Sequence, residues 1–364
     1  MDVSWLFLST PAAEHFSQVV QTTPAQVKND MGRIFKELSR KAGPGCVFSA
    51  EKENAFVIQG ATGFADIEKK KPLTADSVFN LASVSKQFTA FAIHLLATEK
   101  KLSLDDSVRQ YVPELGSYAD PVTLRHLLHH TGGLPSYEDA AEAQGIPDTK
   151  PLSQATALQL LAAEKQPLFA PGTRFSYSNT GYFMLSLVVE RVSGKSIRQF
   201  SEQAIFKPLE MNHTQIVDTY PLTFEVARGY KRSFWGGARL YESPWEVTGD
   251  GQVHSTVGDL MKWGANLQNG TVGGPNLLAV MSRAGPRVAI DHEDYAMGLS
   301  PKLYKGTRLL EHSGGWAGYS TQFLDFPDAH ITVAVLCNAE DLDAATYSEK
   351  IADVLAVEKW ASAR

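Results

Sequence analysis

Cysteine is nearly absent: Cys46 and Cys337 are the only two in 364 residues, too few for a disulfide framework. Each falls in an apolar, strand-like run, so buried free thiols are expected. No apolar run reaches the ~20 residues that carry a helix across a bilayer. The N-terminal run Val3 to Leu8 is short and follows Asp2 rather than Lys or Arg, a poor secretory signal. The expected location is therefore the cytoplasm, or the periplasm or exterior if a natural signal has been removed. Charge of one sign is scarce too. Lys and Arg number 34 against 40 Asp and Glu, and the net charge of −6 argues against nucleic acid as a partner. The basic run Lys69-Lys70-Lys71 has no interleaved aromatic residue and reads as a solvated turn. Repeats and low-complexity tracts are missing. What remains is 43% hydrophobic and 20% charged, an ordinary globular composition, long enough for two domains or for one with an insertion. Oligomeric state is left open.

Residues 1–22 show no periodicity and are set aside as an extension. Thr23-Pro24-Ala25-Gln26 gives a capping box with Pro at the first helical position, and Val27, Met31, Ile34 and Leu38 make the stripe of the helix that follows. Cys46–Ala50 and Ala55–Gly60 read as a hairpin. From 106 to 245 the periodic segments are helical (Thr123–His130, Ser153–Lys165, Thr180–Val192, Ser196–Phe206), punctuated by Gly132-Gly133, Pro171-Gly172 and Gly194. Strand patterns return in Tyr295–Leu303, Arg308–His312, Thr321–Phe326 and Ile331–Leu336, before a final helix over Asp343–Trp360. The expected fold is α/β (α+β): an antiparallel sheet of five or more strands built from both chain ends (23–105 and 246–364), flanked by the terminal helices, with a large all-helical insertion.

The stretch Phe79 to Leu96 organises the chain. Val84, Phe88, Phe91 and Leu95 recur at helical spacing, and Ala90, Ala92, Ile93 and Leu96 make the other faces apolar, so this helix should be buried all round. His94 is expected as a hydrogen-bonded core residue. Ser83 and Lys86 stand at its mouth on one side, i and i+3. An ammonium beside a hydroxyl at a buried helix start fits nucleophilic catalysis, with Lys86 taking the proton of Ser83. A second Ser-x-x-Lys, Ser49 with Lys52, lies where a strand breaks into a turn and is read as structural.

Two further stretches could complete a site. Tyr177-Ser178-Asn179 is the only Tyr-x-Asn in the chain; a phenol beside a Lys cation can exchange protons at neutral pH, and Asn179 offers a donor and an acceptor. His312-Ser313-Gly314-Gly315 ends a strand-like run, where backbone N–H groups can line a reacting carbonyl. Its near-copy, His130-Thr131-Gly132-Gly133, ends a helical pattern and reads as a C-cap. His126, His129 and His130 could suggest zinc, but no Cys or carboxylate sits at matching spacing, and they are assigned to capping or packing. No metal or cofactor is expected.

Ser83-Val84-Ser85-Lys86, Tyr177-Ser178-Asn179 and His312-Ser313-Gly314, in this order, resemble the motif set of the penicillin-binding-protein and class C β-lactamase-like serine hydrolases. Lys101–Asp106, Arg125–Pro135 and Val253–Leu260 are similar to that family as well. The resemblance implies a cleft between an α/β domain and a helical insert, with Ser83 acylated and Lys86 and Tyr177 sharing base and acid duties. It also implies an oxyanion hole from the N–H groups of Ser83 and Gly315. Asn179, His312, Ser313, Gly314, Trp316 and Tyr319 would bind substrate, the last two having a better claim on an acyl pocket than Trp235 or Trp245. The substrate would be a small ester, amide or peptide; the alternatives are a β-lactamase or a penicillin-binding sensor that acylates without turnover. Many β-lactamases carry Lys where His312 stands. A His of ordinary pKa should therefore favour neutral substrates over carboxylate-bearing ones, with the gap widening as pH rises. The family fold also places Cys46 and Cys337 on adjacent antiparallel strands, both still expected free.

Overall fold

The computed structural model describes residues 14–15, 18–19, 25–38, 43–53, 56–234 and 236–361. Thr23 and Pro24 of the expected capping box, and Trp235, lie outside them, as does most of the N-terminal extension.

Helix α1 (Ala25–Leu38) is followed by the hairpin β1 (Cys46–Lys52) and β2 (Phe56–Thr62). A short strand β3 (Phe79–Asn80) leads to α2 (Lys86–Thr98). Helices α3 (Leu124–Leu128), α4 (Tyr137–Ala143), α5 (Gln154–Ala163) and α6 (Asn179–Ser193) come next. Then come β4 (Gln215–Ile216), β5 (Val253–Ser255) and α7 (Val257–Asn269). Strands β6 (Ser300–Tyr304), β7 (Thr307–Trp316), β8 (Tyr319–Phe326) and β9 (Ile331–Cys337) precede the last helix, α8 (Ala344–Ala361). The main sheet runs β2-β1-β9-β8-β7-β6 and is antiparallel throughout, with Glu14–His15 and Gln18–Val19 added at β2. The first long strand thus lies beside the last, as a sheet built from both chain ends requires.

The pleat sends alternate residues to opposite faces, and each face has its own core. Phe48, Leu324, Val333 and Val335 pack with Met31 and Ile34 of α1 and Ile351 and Leu355 of α8. Val47, Phe323, Ala334 and Leu336 belong instead to the core of α2, α6 and α7, with Phe88, Phe91, Phe183 and Trp263. Because β1 and β9 are covered on both faces, they read as unbroken apolar runs. Helix α2 is buried through Ile93; His94 is only half-buried and stacks on Phe91, so it is not the core residue expected.

Two expectations change. The stretch 106–245 is helical only to Phe206; the short strands β4, Tyr230–Arg232 and Ala238–Leu240 follow, so it is not all-helical. Cys46 and Cys337 do face one another on β1 and β9, but as a disulfide, with Cα atoms 4.0 Å apart. Directly opposed cross-strand residues approach more closely than neighbours in general do, which brings the sulfurs within bonding reach.

Candidate active site

Ser83 is placed by a tightly held turn. The Leu81 amide donates to the Val253 carbonyl of β5, the Asn80 side chain accepts from the Ala82 amide at 2.8 Å, and Thr321 Oγ1 of β8 donates to the Leu81 carbonyl at 2.8 Å. Ala82 is driven to φ +48°, a region costly for a residue with a Cβ and tolerated where surroundings over-determine it. A 3₁₀ turn, Ala82–Ser85, then runs into α2, of which Lys86 is the first residue. Ser49 of the other Ser-x-x-Lys is buried within β1, away from any substrate.

Lys86 is fully buried. Its Nζ lies 2.9 Å from Ser83 Oγ and donates to Asn179 Oδ1 at 2.7 Å and to the Asp250 carbonyl at 2.7 Å. Asn179 Oδ1 and the carbonyl only accept, so the proton free to move is the one shared with Ser83. The Tyr177 ring, in the loop before α6, has its centroid 4.9 Å from the same Nζ and is 45% exposed. Asn179 opens α6 and Ser178 caps it by accepting from the Gly181 amide. Asn179 Nδ2 donates to Glu138 Oε1 at 2.6 Å, so one amide links the ammonium to a carboxylate.

That carboxylate is unusual. Burial first, then repulsion from Asp250, pushes Glu138 up to about 7. Asp250, buried beside it and accepting from Tyr137 Oη at 2.7 Å, is also raised by burial. Ser83, Glu138, Asn179, Asp250, Gln252 and Gly315 line one cleft, with Tyr137, Trp245 and Trp316 as aromatic walls. Among the described residues that line it there are two acids and no Lys, Arg or His; Lys86 adjoins it through Ser83 and Asn179.

The end of β7 forms the facing wall. A Cβ on Gly314 would meet Thr321 Oγ1 at 2.3 Å and the Leu81 carbonyl at 2.5 Å; only glycine lets β7 come this close to the turn before Ser83. That approach sets Gly315 beside Ser83. Trp316 packs on Trp245 with ring centroids 5.3 Å apart, so Trp245 has the stronger place in the cleft and Tyr319 the weaker. Tyr319 lies in a neighbouring cavity of about 280 Å³, its hydroxyl donated to the Ala227 carbonyl at 2.6 Å. Ser313 is exposed. His312 is buried: Nδ1 donates to the Ser313 carbonyl at 2.6 Å, and Nε2 accepts from Tyr295 Oη at 2.8 Å. Both nitrogens are spent inside the protein. Burial, then Lys86, lowers its pKa to about 3, so it is neutral at every working pH and cannot be the titrating group behind the expected pH-dependent preference.

Glu138, Asp250 and Tyr137 escaped the sequence reading. Glu138 and Tyr137 ride on α4, a seven-residue helix too short for periodicity. Its signal was local: Ser136 caps it by accepting from the Asp139 amide, with acids in the first turn. The three clustered histidines do pack and cap. His126 Nδ1 accepts from the Thr123 amide, His129 Nδ1 lies 2.9 Å from the Tyr295 carbonyl, and His130 abuts Tyr177.

The family model described as Beta-lactamase matches residues 26–357. A penicillin-binding protein of Bacillus subtilis is 32% identical over 321 residues, covering 82% of this chain and 68% of that protein. A D-aminopeptidase of Cereibacter sphaeroides is 26% identical over 324 residues, 88% of this chain and 62% of the relative. The chain thus spans about two thirds of the length of these relatives. Among solved structures, the octameric penicillin-binding protein homologue from Pyrococcus abyssi superposes with a TM-score of 0.77 at 28% identity, covering 92% of this chain and 77% of its own. With its Ser83–Lys86 pair, Tyr177 loop and glycine-lined β7 edge, the chain belongs to the beta-lactamase family of serine hydrolases.

Proposed function

We propose that this protein is an amidase or aminopeptidase that cleaves small amides and short peptides carrying a free amino group next to the scissile carbonyl. One observation carries the reading: the cleft around Ser83 holds Glu138 and Asp250 and, among the described residues, no cationic side chain lines it, Lys86 lying just behind Ser83 and Asn179. A substrate ammonium would lie against Glu138, ionising a carboxyl that burial and the neighbouring Asp250 keep half protonated near neutrality. A substrate carboxylate would meet like charge, which speaks against a β-lactam. The D-aminopeptidase relative makes D-aminoacyl amides the first to try.

In this reading the Lys86–Tyr177 pair starts one proton short of ammonium and phenol together, so that Ser83 Oγ attacks the carbonyl carbon as its proton passes to Lys86 Nζ. The oxyanion faces the N–H groups of Ser83 and Gly315. Tyr177 Oη gives a proton to the leaving amine and is reprotonated from Lys86. Water then attacks the acyl-Ser83 ester, the same groups running in reverse. The cavity beyond Trp245 and Trp316 leaves room for the rest of a short peptide.

The test is kcat/KM for D- and L-aminoacyl p-nitroanilides, their N-acetyl derivatives, p-nitrophenyl acetate and a chromogenic cephalosporin. A free amine is expected to raise kcat/KM tenfold or more, on the order of one charge-assisted hydrogen bond. Equal rates for the N-acetyl compounds, or faster cephalosporin turnover, would overturn the proposal.

A further inference from the structure

Tyr177 sits in a loop, and a loop residue in proton transfer needs something to hold it. The restraint comes from one residue 47 positions earlier. His130 takes φ +55°, a left-handed turn that His, Asn and Asp enter more readily than most residues. The turn aims both backbone and side chain of His130 at the Tyr177 loop. Its carbonyl accepts from the Ser176 amide at 2.9 Å, and its Nδ1 accepts from the Ser178 amide at 3.1 Å. The residues on either side of Tyr177 are therefore both hooked to the one residue His130. Between the hooks the rings meet, with centroids of His130 and Tyr177 4.3 Å apart. Tyr295 at 4.3 Å and Tyr182 at 5.1 Å enclose the imidazole further.

We infer that His130 is a positioning residue for Tyr177: its Nδ1 and carbonyl clamp the Ser176–Ser178 loop and its ring backs the phenol, fixing Tyr177 against Lys86. The side chain is 1% exposed; because Nδ1 accepts from the Ser178 amide, the ring is neutral with its single proton on Nε2, which has no hydrogen-bond partner among the described residues. Burial, then the Lys86 charge, favours the same neutral form. The inference rests on Tyr177 moving a proton, and the experiment separates the two.

The measurement is kcat and KM per acylatable site, titrated to completion with a fluorophosphonate, for Tyr177→Phe, His130→Leu, His130→Asn and the double variant His130→Leu/Tyr177→Phe. A displacement of ~1 Å can cost about 100-fold, so His130→Leu is expected to lose ~30–100-fold in kcat with KM within about threefold. Asn at this place keeps the left-handed turn and offers Oδ1 where Nδ1 stood, and should recover most of the loss. The double variant should be little worse than Tyr177→Phe alone, because the clamp has nothing left to position. If Tyr177→Phe keeps full kcat, the catalytic reading itself fails. If Tyr177→Phe loses activity while His130→Leu, per titrated site, does not, or if the two losses multiply, the clamp is overturned. Should His130→Leu not fold, an Asn variant as poor as the wild type bearing Tyr177→Phe would overturn it equally.

Discussion

Changing Glu138 to Gln removes a charge and little else. The Gln carbonyl can still accept from Asn179 Nδ2, which holds the glutamate at 2.6 Å, so the Asn179–Lys86 link survives. A substrate ammonium ~4 Å from the carboxylate, at an effective dielectric near 20, gains up to ~4 kcal/mol before desolvation is subtracted. Net values for hydrogen bonds to charged groups are about 1.5–3 kcal/mol, or roughly 10–100-fold in kcat/KM at ~1.4 kcal/mol per decade. Because Glu138 is raised to about 7, the advantage has its own pH signature. Below pH ~7 the carboxyl protonates and binding loses tenfold per unit. Above ~8 an α-amine loses its proton and the advantage fades again. The quantity to measure is the ratio of kcat/KM for a free-amine substrate to that for its N-acetyl analogue, in which any titration of Lys86 and Tyr177 cancels. In the wild type this ratio should peak between about 7 and 8; in Glu138→Gln it should be low and flat. An undiminished ratio, or a peak that persists without the carboxylate, refutes the assignment.

Lys86→Ala and Tyr177→Phe should each cost ~10²–10⁴-fold, typical of general acid–base groups, and the double variant should be little worse than the poorer single one, whereas clean multiplication would mean independent roles. His312 stays neutral down to about 3, so once Glu138→Gln removes the carboxyl raised to about 7, the preference for neutral over carboxylate-bearing esters should be flat from pH 5.5 to 8.5; His312→Lys, which buries a cation next to Lys86, should lower the melting temperature rather than admit carboxylates, and tighter carboxylate binding would contradict this. Asp325 is buried and raised from 3.8 to about 7: the folded state binds its proton more tightly, so this group's own contribution to stability is fully present below pH ~4 and is lost as pH rises through ~7, by at most about 4 kcal/mol. Asp325→Asn should flatten that slope in denaturant titrations, and an unchanged slope would refute it. Thiol counting under denaturing, non-reducing conditions should find none, and replacing both Cys46 and Cys337 by Ala, which opens a link across a separation of 291 residues, should cost up to about 6 kcal/mol on the chain-entropy account; two free thiols would contradict the paired state.

The sequence carries the fold wherever burial writes a period. The α2 stripe, the helices of α5 and α6, and the runs of β1, β8 and β9 are visible because one or both faces are apolar. Ser83, Lys86 and Asn179 are visible because their motif spacing is local. What was missed depends on contacts across the chain. Glu138 reaches Asn179 from 41 residues away, and Asp250 reaches Lys86 from 164; neither separation leaves a periodic trace. His312 has the right motif position but spends both nitrogens on Ser313 and Tyr295, which no spacing reveals. His130 was read as a helix terminus, and it is near one; its second use follows only from how the Tyr177 loop folds back onto it. The cysteines were placed correctly, but a bond between them turns on approach to within a few tenths of an ångström, finer than pattern can specify.

The most direct measurement is to trap the acyl-enzyme. The protein would be mixed with an aminoacyl ester or amide, quenched in acid within milliseconds to seconds, and the adduct mapped by intact mass and peptide sequencing. One acyl group is expected per chain, on Ser83, absent from Ser83→Ala and accumulating in Tyr177→Phe if deacylation slows more than acylation. Turnover that persists in Ser83→Ala, or an adduct on Ser49 or Ser313 instead, would contradict the account.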